Sequence, residues 1–258
     1  MLFTGTEISA MVGNYFWPFV RIGAFVAAMP VFTSTFINKR IRLVLALALT
    51  VITVPLVPPV PAVDALSMNG VILIAQQVLI GVAMGGIFHL VFAAFTIGGQ
   101  VIAMQMGLGF ATMVDPVNGA QAPVLSMFYI LLVTLFFFLM DGHLALIGVL
   151  IESFNSFPIG VNGLSDAAFW NLVAWGSKMF VGAVLVSLPA VTALLIINMS
   201  LGVIGRAAPQ LNIFAVGFSI TITAGFYVIL ASLPVVQIQF QNIMLQAIEL
   251  TKQLVGLA

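Results

Sequence analysis

The sequence predicts an all-α, membrane-derived protein, and three observations support that fold class. Charged residues make up 5% of the 258 positions, whereas a soluble domain carries roughly 25%. Hydrophobic residues make up 62%, and the mean hydropathy is +1.26. The hydrophobic residues form continuous runs rather than alternating with period two, which favours helices over strands. At this length we expect one domain over residues 1–258.

Six apolar runs follow one another along the chain, most of them longer than the roughly 20 residues that a helix needs to cross a bilayer. They occupy residues 12–37, 41–61, 71–104, 124–150, 169–205 and 214–236, and an amphipathic tail follows at 237–258. Polar, basic, glycine or proline residues separate successive runs, as is typical of helix ends. The chain is therefore expected to be a multi-helix subunit with broken or hairpin helices.

Two of these runs, 71–104 and 169–205, are too long for simple membrane spans. As continuous helices each would exceed about 50 Å, whereas the hydrocarbon layer is about 30 Å thick. Either each run is broken into a hairpin, or its helix continues beyond the bilayer among protein neighbours. Pro189 favours a break in the second run, and the glycines of the first run are a weaker signal.

Basic residues cluster at two of the connections. Lys39, Arg40 and Arg42 lie at one, and Arg206 lies at another. The positive-inside rule places both connections in the cytoplasm and the N-terminus outside, which fits six spans. The two over-long runs argue against such a simple bundle. Residues 1–14 lack a basic segment and a cleavage site, so we expect the first helix to be retained.

The composition excludes several classes of function. The chain has no cysteine, which excludes disulfides, thiolate metal sites and cysteine nucleophiles. Its net charge is zero, so charge gives no reason to expect a nucleic-acid partner. No P-loop, G-x-S-x-G, H-E-x-x-H or paired-carboxylate pattern occurs. We therefore expect no enzymatic activity, no cofactor and no bound metal.

Arg21 lies midway along the first apolar run. An arginine at membrane depth costs roughly 2.5–3.5 kcal/mol on insertion scales, so it is expected to face protein or water. We favour a partner on another helix or subunit, which would make Arg21 an assembly residue. A pore-facing charge is the alternative.

Asp141-Gly142-His143 interrupts an otherwise apolar run. A proton relay is one interpretation, and a metal site with His89 is another. Two histidines and no cysteine make a poor ligand set, however. A turn between two helices that satisfies the aspartate explains the triplet better.

The segment from Gln105 to Pro116 combines backbone freedom with large apolar side chains. Gly107 and Gly109 are expected to break the helix, and Met106, Leu108, Phe110 and Met113 occur around them. Irregular backbone at membrane depth is tolerated only inside protein or beside a cavity. One interpretation is a buried turn that packs like core. The other is a deformable hydrophobic plug across a conduit, since methionine and glycine repack readily.

Several segments together resemble a known family. They are residues 98–110 followed by Asp115-Pro116, residues 136–143, residues 153–158, residues 201–202 with 207–214 and 217–218, and Arg21 within residues 20–29. In this order they are similar to the FliR-like export-gate family of flagellar type III secretion, which has counterparts in virulence secretion systems. The resemblance covers nearly the whole chain.

The resemblance implies a set of partners and a location. FliR-like proteins assemble as a single copy with several copies of FliP and FliQ into a closed helical complex at the entrance of a protein-export channel. FlhB docks on that complex, FlhA is a further expected partner, and membrane lipid surrounds the base. The substrates are unfolded flagellar proteins. The complex belongs to the flagellar basal body in the bacterial inner membrane and projects to the periplasmic side, which would accommodate the over-long helices.

The resemblance also implies site residues. The pore plug comprises Met106, Gly107, Leu108, Gly109, Phe110 and Met113. Asp115 and Pro116 anchor the exit of that loop. Arg21, Asp141 and His143 are assigned to assembly or buried polar contacts. The competing hypothesis is a proton-coupled secondary transporter that uses these last three residues near a broken helix.

Overall fold

The computed structural model describes residues 5–33, 37–58, 60, 63, 67–108, 124–160, 163–208, 210 and 213–257, with side chains from residue 13 onward except at 213–215. Within these residues every regular element is a helix, so the predicted all-α class is confirmed. The helices are α1 (Gly5–Ala28), α2 (Pro30–Thr33), α3 (Lys39–Thr53), a 3-10 turn (Val54–Leu56), α4 (Met68–Gln105), α5 (Val124–Leu139), α6 (Gly142–Ser156), α7 (Asp166–Ala207) and α8 (Ile213–Leu254).

The three longest helices are unbroken. Helix α4 has 38 residues, and α7 and α8 have 42 each. Pro189 lies inside α7 without ending it, so the predicted break is wrong. A proline removes one backbone hydrogen bond and costs about 3 kcal/mol, but a wider break would leave more backbone groups unpaired in apolar surroundings. Helix α8 likewise joins the sixth apolar run to the predicted tail without interruption.

The fourth apolar run is the one that breaks. Helix α5 ends at Leu139, and α6 begins at Gly142. Asp141 between them has φ 52°, which is a left-handed conformation. Aspartate tolerates this conformation better than most residues. The predicted helix-to-helix turn is therefore present at Asp141, but the turn does not satisfy the aspartate, because its side chain is exposed and makes no capping hydrogen bond.

The described chain forms two compact units. The first comprises Met1–Leu90, Met140–Gly176 and Met244–Ala258, and the second comprises Val91–Leu139 and Ser177–Ile243. In the first unit, α1 lies against Gly81 and Gly85 of α4, where an added Cβ would collide with the α1 backbone and with Ala28. The small residues four positions apart thus allow close helix packing.

Aromatic side chains dominate the core of the second unit. Phe240 of α8 makes edge contacts with Phe92 and Phe95 of α4, at centroid distances of 6.2 and 5.6 Å. Phe92 also contacts Phe137 of α5 at 6.0 Å. Edge-to-face pairs of this kind add stability beyond their burial. This cluster positions the C-terminal half of α4, which leads to the segment at Met106.

Three described helices are long and apolar enough to cross a membrane: α4, α7 and α8. The bent pair α5–α6 adds a fourth candidate. This is fewer than the six spans that the apolar runs suggested. The described part of the chain buries 61% of the most apolar stretch of α4, but only 33% and 28% of those of α7 and α8. Helices α7 and α8 therefore present much of their apolar surface outward.

Candidate functional site

Arg21 is completely buried in α1 and makes four hydrogen bonds. Its Nε donates to Gln77 Oε1 of α4 at 2.7 Å. Its Nη1 donates to the carbonyl oxygen and the hydroxyl of Ser153 at 2.9 and 3.2 Å, and its Nη2 donates to the Phe157 carbonyl at 3.0 Å. The guanidinium carbon also lies 4.4 Å from the centre of the Phe154 ring.

Through these contacts Arg21 caps the C-terminal end of α6. The last carbonyls of a helix have no partner within it, and they form the negative end of its dipole. Both carbonyls come from this end: that of Ser153 also accepts the Phe157 N–H at 3.0 Å, and that of Phe157 lies at the C-cap. The positive charge is thus offset by helix carbonyls and an aromatic face rather than by a carboxylate. Arg21 joins α1, α4 and α6 into one packed group.

Helix α4 ends in a glycine-based cap formed by the first residues of the predicted plug. Gly107 has φ 82°. Its N–H donates to the Met104 carbonyl at 3.0 Å, and the Leu108 N–H donates to the Ala103 carbonyl at 3.0 Å. This pair of bonds is the Schellman motif, which requires a left-handed residue and therefore favours glycine. The expectation that Gly107 breaks the helix thus has a structural basis.

Met106 is fully buried against α8 at a site made by a glycine. A Cβ at Gly225 would lie 2.5 Å from Met106 Cε and 2.6 Å from its Cγ. Gly225 therefore provides the space that the Met106 side chain fills. Phe218 of α8 lies beside Gly107, with ring atoms 3.4 Å from where a Cβ would be. These contacts fix the start of the segment, and Leu108 beyond it is half-buried.

The remaining predicted plug and anchor residues lie outside the described residues. They are Gly109, Phe110, Met113, Asp115 and Pro116.

Asp141 and His143 do not join the Arg21 contacts. Asp141 is exposed, and its side chain makes no capping hydrogen bond to α6. His143, one position into that helix, is half-buried. The partners of Arg21 are Gln77, Ser153, Phe154 and Phe157, so the three residues of the transporter hypothesis are not assembled around one another. Within the described ranges no group of three acidic, histidine or cysteine side chains could hold a metal.

Sequence reasoning missed three residues of this site. Gln77, a polar residue inside an apolar helix, could have been paired with Arg21 on that ground alone. Ser153 occurred in a resembling segment without a role. Gly225 carried no signal, because its function depends on which helix faces Met106.

Known proteins are similar to this chain over nearly its whole length. The profile of the family described as bacterial export proteins, family 1, matches residues 12–247. The flagellar biosynthetic protein FliR of Pectobacterium carotovorum is 39% identical over 92% of this chain and 90% of its own. The protein of the same name from Escherichia coli K12 is 36% identical over 90% and 89%. That from Bacillus subtilis is 28% identical over 93% of each chain.

The matched region includes the part of α1 with Arg21, the end of α4 with Met106 and the part of α8 with Gly225. It begins within α1 and ends within α8, so the similarity extends over nearly the whole chain and is not limited to one motif. The chain belongs to the family of bacterial export proteins to which the flagellar biosynthetic proteins FliR also belong.

Proposed function

We propose that this chain is a structural channel subunit of the flagellar type III export gate. In this proposal it forms the pore entrance with FliP and FliQ, and the loop after Gly107 seals the closed pore. Family membership supports a role in flagellar protein export. The observation that carries the oligomeric part of the proposal is the length of exposed apolar surface on α7.

Exposed large apolar side chains extend along α7 from Phe169 to Ile204. At 1.5 Å per residue this stretch is about 50 Å long. A hydrocarbon layer of about 30 Å lengthens to about 40 Å along a helix tilted by about 40°. Lipid therefore covers only part of the stretch, and the remainder needs other protein chains to exclude water. Helix α8 exposes apolar side chains over about 45 Å, from Val216 to Leu245.

A hetero-oligomeric gate supplies those neighbouring chains. The proposed partners are FliP and FliQ, with FlhB and FlhA docking on the complex and unfolded flagellar proteins as substrates. The proposed location is the basal body in the bacterial inner membrane, with the complex projecting to the periplasmic side. In that arrangement the long helices lie among subunits rather than in lipid alone. The role is structural, with no enzymatic reaction and no cofactor.

The plug is proposed to begin at the Met106 contact with α8. The buried Met106 and the cap at Gly107 hold one end of the loop. Beyond it the sequence supplies Leu108, Phe110 and Met113, which are large apolar side chains close to Gly109 in the sequence. An apolar constriction of this kind blocks water and ions while it is closed. Asp115 and Pro116 are proposed to anchor its exit.

The alternative of a proton-coupled transporter has weaker support. It needs Arg21, Asp141 and His143 to act together. The hydrogen bonds of Arg21 instead hold α1 to α4 and α6. Asp141 forms a turn at the start of α6 and is exposed. A structural role for each residue accounts for these positions.

Co-purification tests the proposal. A tagged copy is co-expressed with FliP and FliQ, solubilised in mild detergent and examined by native mass spectrometry. We expect one copy of this chain with several copies of each partner. Recovery of a monomer or homodimer that carries neither partner would contradict the proposal. In that case the Asp141 and His143 substitutions of the transporter hypothesis become the next test.

A further inference from the structure

A groove of about 760 Å³ runs between α1, α3 and α4 in the first unit. Its volume lies within the range of about 300–1,000 Å³ that is typical of small-molecule sites. Apolar side chains line most of it, among them Phe19 and Val20 of α1, Leu43 of α3, and Val78 and Val82 of α4. The groove therefore suits an apolar chain rather than a polar metabolite.

Two basic residues from the start of α3, Lys39 and Arg42, are the charged groups that line this groove. Lys39 is exposed, and so is its neighbour Arg40. Arg42 donates from Nη2 to the Ile37 carbonyl at 3.1 Å, which holds its guanidinium next to the groove. The site thus combines an apolar channel with a cationic end.

Lys39 and Arg42 also lie at the positive end of the α3 dipole. The N-terminus of a helix carries partial positive charge, and cations there are destabilising. Helix α3 begins Lys39-Arg40-Ile41-Arg42 and has no acidic residue in its first turn. The sequence contains no acidic residue at all between Glu7 and Asp64. An anionic group is the ligand charge that complements this end of the groove.

We infer that this groove binds one anionic phospholipid. An acyl chain lies along the apolar wall of α1 and α4, and the headgroup phosphate lies at Lys39 and Arg42. Helix α3 has 15 residues, too few to cross the bilayer, so its basic start can lie near headgroup depth. Its exposed outer face, with Val44, Val51 and Ile52, is apolar as well. The pairing of charge with an apolar channel favours a lipid over a soluble anion or an apolar protein segment.

This site is independent of the proposed export function. A lipid in the groove would cover apolar surface whether the helices lie in the bilayer or project from it. The test therefore measures lipid on whichever species contains this chain. Absence of FliP and FliQ from that species would contradict the export-gate proposal and leave the lipid result unaffected.

The experiment uses native mass spectrometry of the tagged full chain, purified from membranes in which FliP and FliQ are co-expressed. Palmitoyl-oleoyl phosphatidylglycerol and phosphatidylcholine are added in competition. We expect retention of one phosphatidylglycerol in preference to phosphatidylcholine. K39Q/R42Q removes two charges worth about fivefold each, so retention is expected to fall about twenty-five-fold. K178Q/R206Q removes the same charge from exposed positions of α7 and is the matched control.

A second variant tests the groove itself without changing charge. Gly23 lines the groove, and a Cβ added there meets no atom within 4 Å. Gly23→Leu therefore has open space at its Cβ and extends the side chain into the groove, and leucine favours the helix. Gly148→Leu, at an equally open position of α6, is its control. We expect the first to lose the lipid and the second to retain it.

Three results would overturn the inference. One is equal retention of the two lipids by the unmodified chain. Another is lipid loss that is the same in K39Q/R42Q and K178Q/R206Q. The third is a photo-crosslinker at position 23 that captures a partner subunit instead of lipid, which would make the groove a protein interface. Equal recovery of all variants in the membrane fraction excludes misfolding as the reason for lipid loss.

Discussion

The Met106 side chain packs into the space beside Gly225, and this contact links the end of α4 to α8. The Met106 side chain occupies the volume where a Cβ on Gly225 would lie, 2.5–2.7 Å from its Cε, Cγ and Sδ atoms. Met106 is the first residue of the proposed plug and is fully buried. A change at Gly225, far from the loop in sequence, is therefore expected to alter the loop.

Gly225→Ala is expected to displace Met106 and loosen the start of the loop. The displaced atoms belong to a flexible methionine, so we expect a small loss of stability, about 1–2 kcal/mol. Met106→Ala removes the obstructing atoms, so the double variant should show coupling of at least about 0.5 kcal/mol. Thermal unfolding of the purified complex measures the cycle. Strictly additive effects, or equal effects from Gly202→Ala at an open position of α7, would contradict the contact.

Arg21→Met is expected to destabilise the first unit by about 3 kcal/mol or more. It removes the donor to the buried Gln77 side chain and to the Phe157 carbonyl, and one of the two donors to the Ser153 carbonyl. Arg21→Lys should recover only part of the loss, because an ammonium cannot reproduce the planar fork. The readout is the melting temperature together with the yield of complex. Lys178→Met, at an exposed site, is the control. An Arg21→Met protein as stable as the control would show that the contacts contribute nothing.

Gly81→Ala is expected to separate α1 from α4. A Cβ there lies 2.8 Å from Ala24 Cβ and 2.9 Å from the Phe25 backbone nitrogen, and backbone atoms cannot move aside readily. We expect a loss of about 1–3 kcal/mol. Gly86→Ala, five positions along the same helix, meets nothing within 4 Å and should gain up to about 1 kcal/mol from helix propensity. Denaturant titration of the two variants compares them directly. Equal shifts in both would rule out close packing at Gly81.

Asp141→Asn is expected to preserve flagellar export, because the residue serves as a left-handed turn that asparagine also accepts. Asp141→Ala should cost about 1–2 kcal/mol through the same backbone conformation. Swimming motility reports export, and thermal unfolding reports stability. Loss of motility in Asp141→Asn with unchanged stability would support the transporter hypothesis instead.

Sequence reasoning identified the helical class, because hydropathy over long runs is a local property. The prediction of a helix break at Pro189 was wrong. The proline removes one backbone hydrogen bond, and the many bonds that the 42-residue helix retains stabilise it by more than that loss. Sequence reasoning located the turn at Asp141 because an Asp-Gly pair is a local signal. Arg21 lies more than 130 positions from Ser153 and Phe157 in the sequence, so no local pattern predicts these contacts. The role of Gly225 could not be predicted either, because it depends on a contact with Met106, which is distant in sequence.

The most direct test of the central claim is the permeability of the closed gate. Cells expressing the complete export complex carry either the unmodified chain, the double variant F110A/M113A, or a chain lacking residues 107–113. Entry of a small chromogenic solute that intact cells exclude is measured without export substrates. Met68→Ala, at an exposed position at the start of α4, is the control.

We expect solute entry to increase in both loop variants and to stay at the background level in the control, with the complex recovered in equal amounts from all strains. Equally tight membranes in all four strains would contradict the proposal that this loop seals the pore.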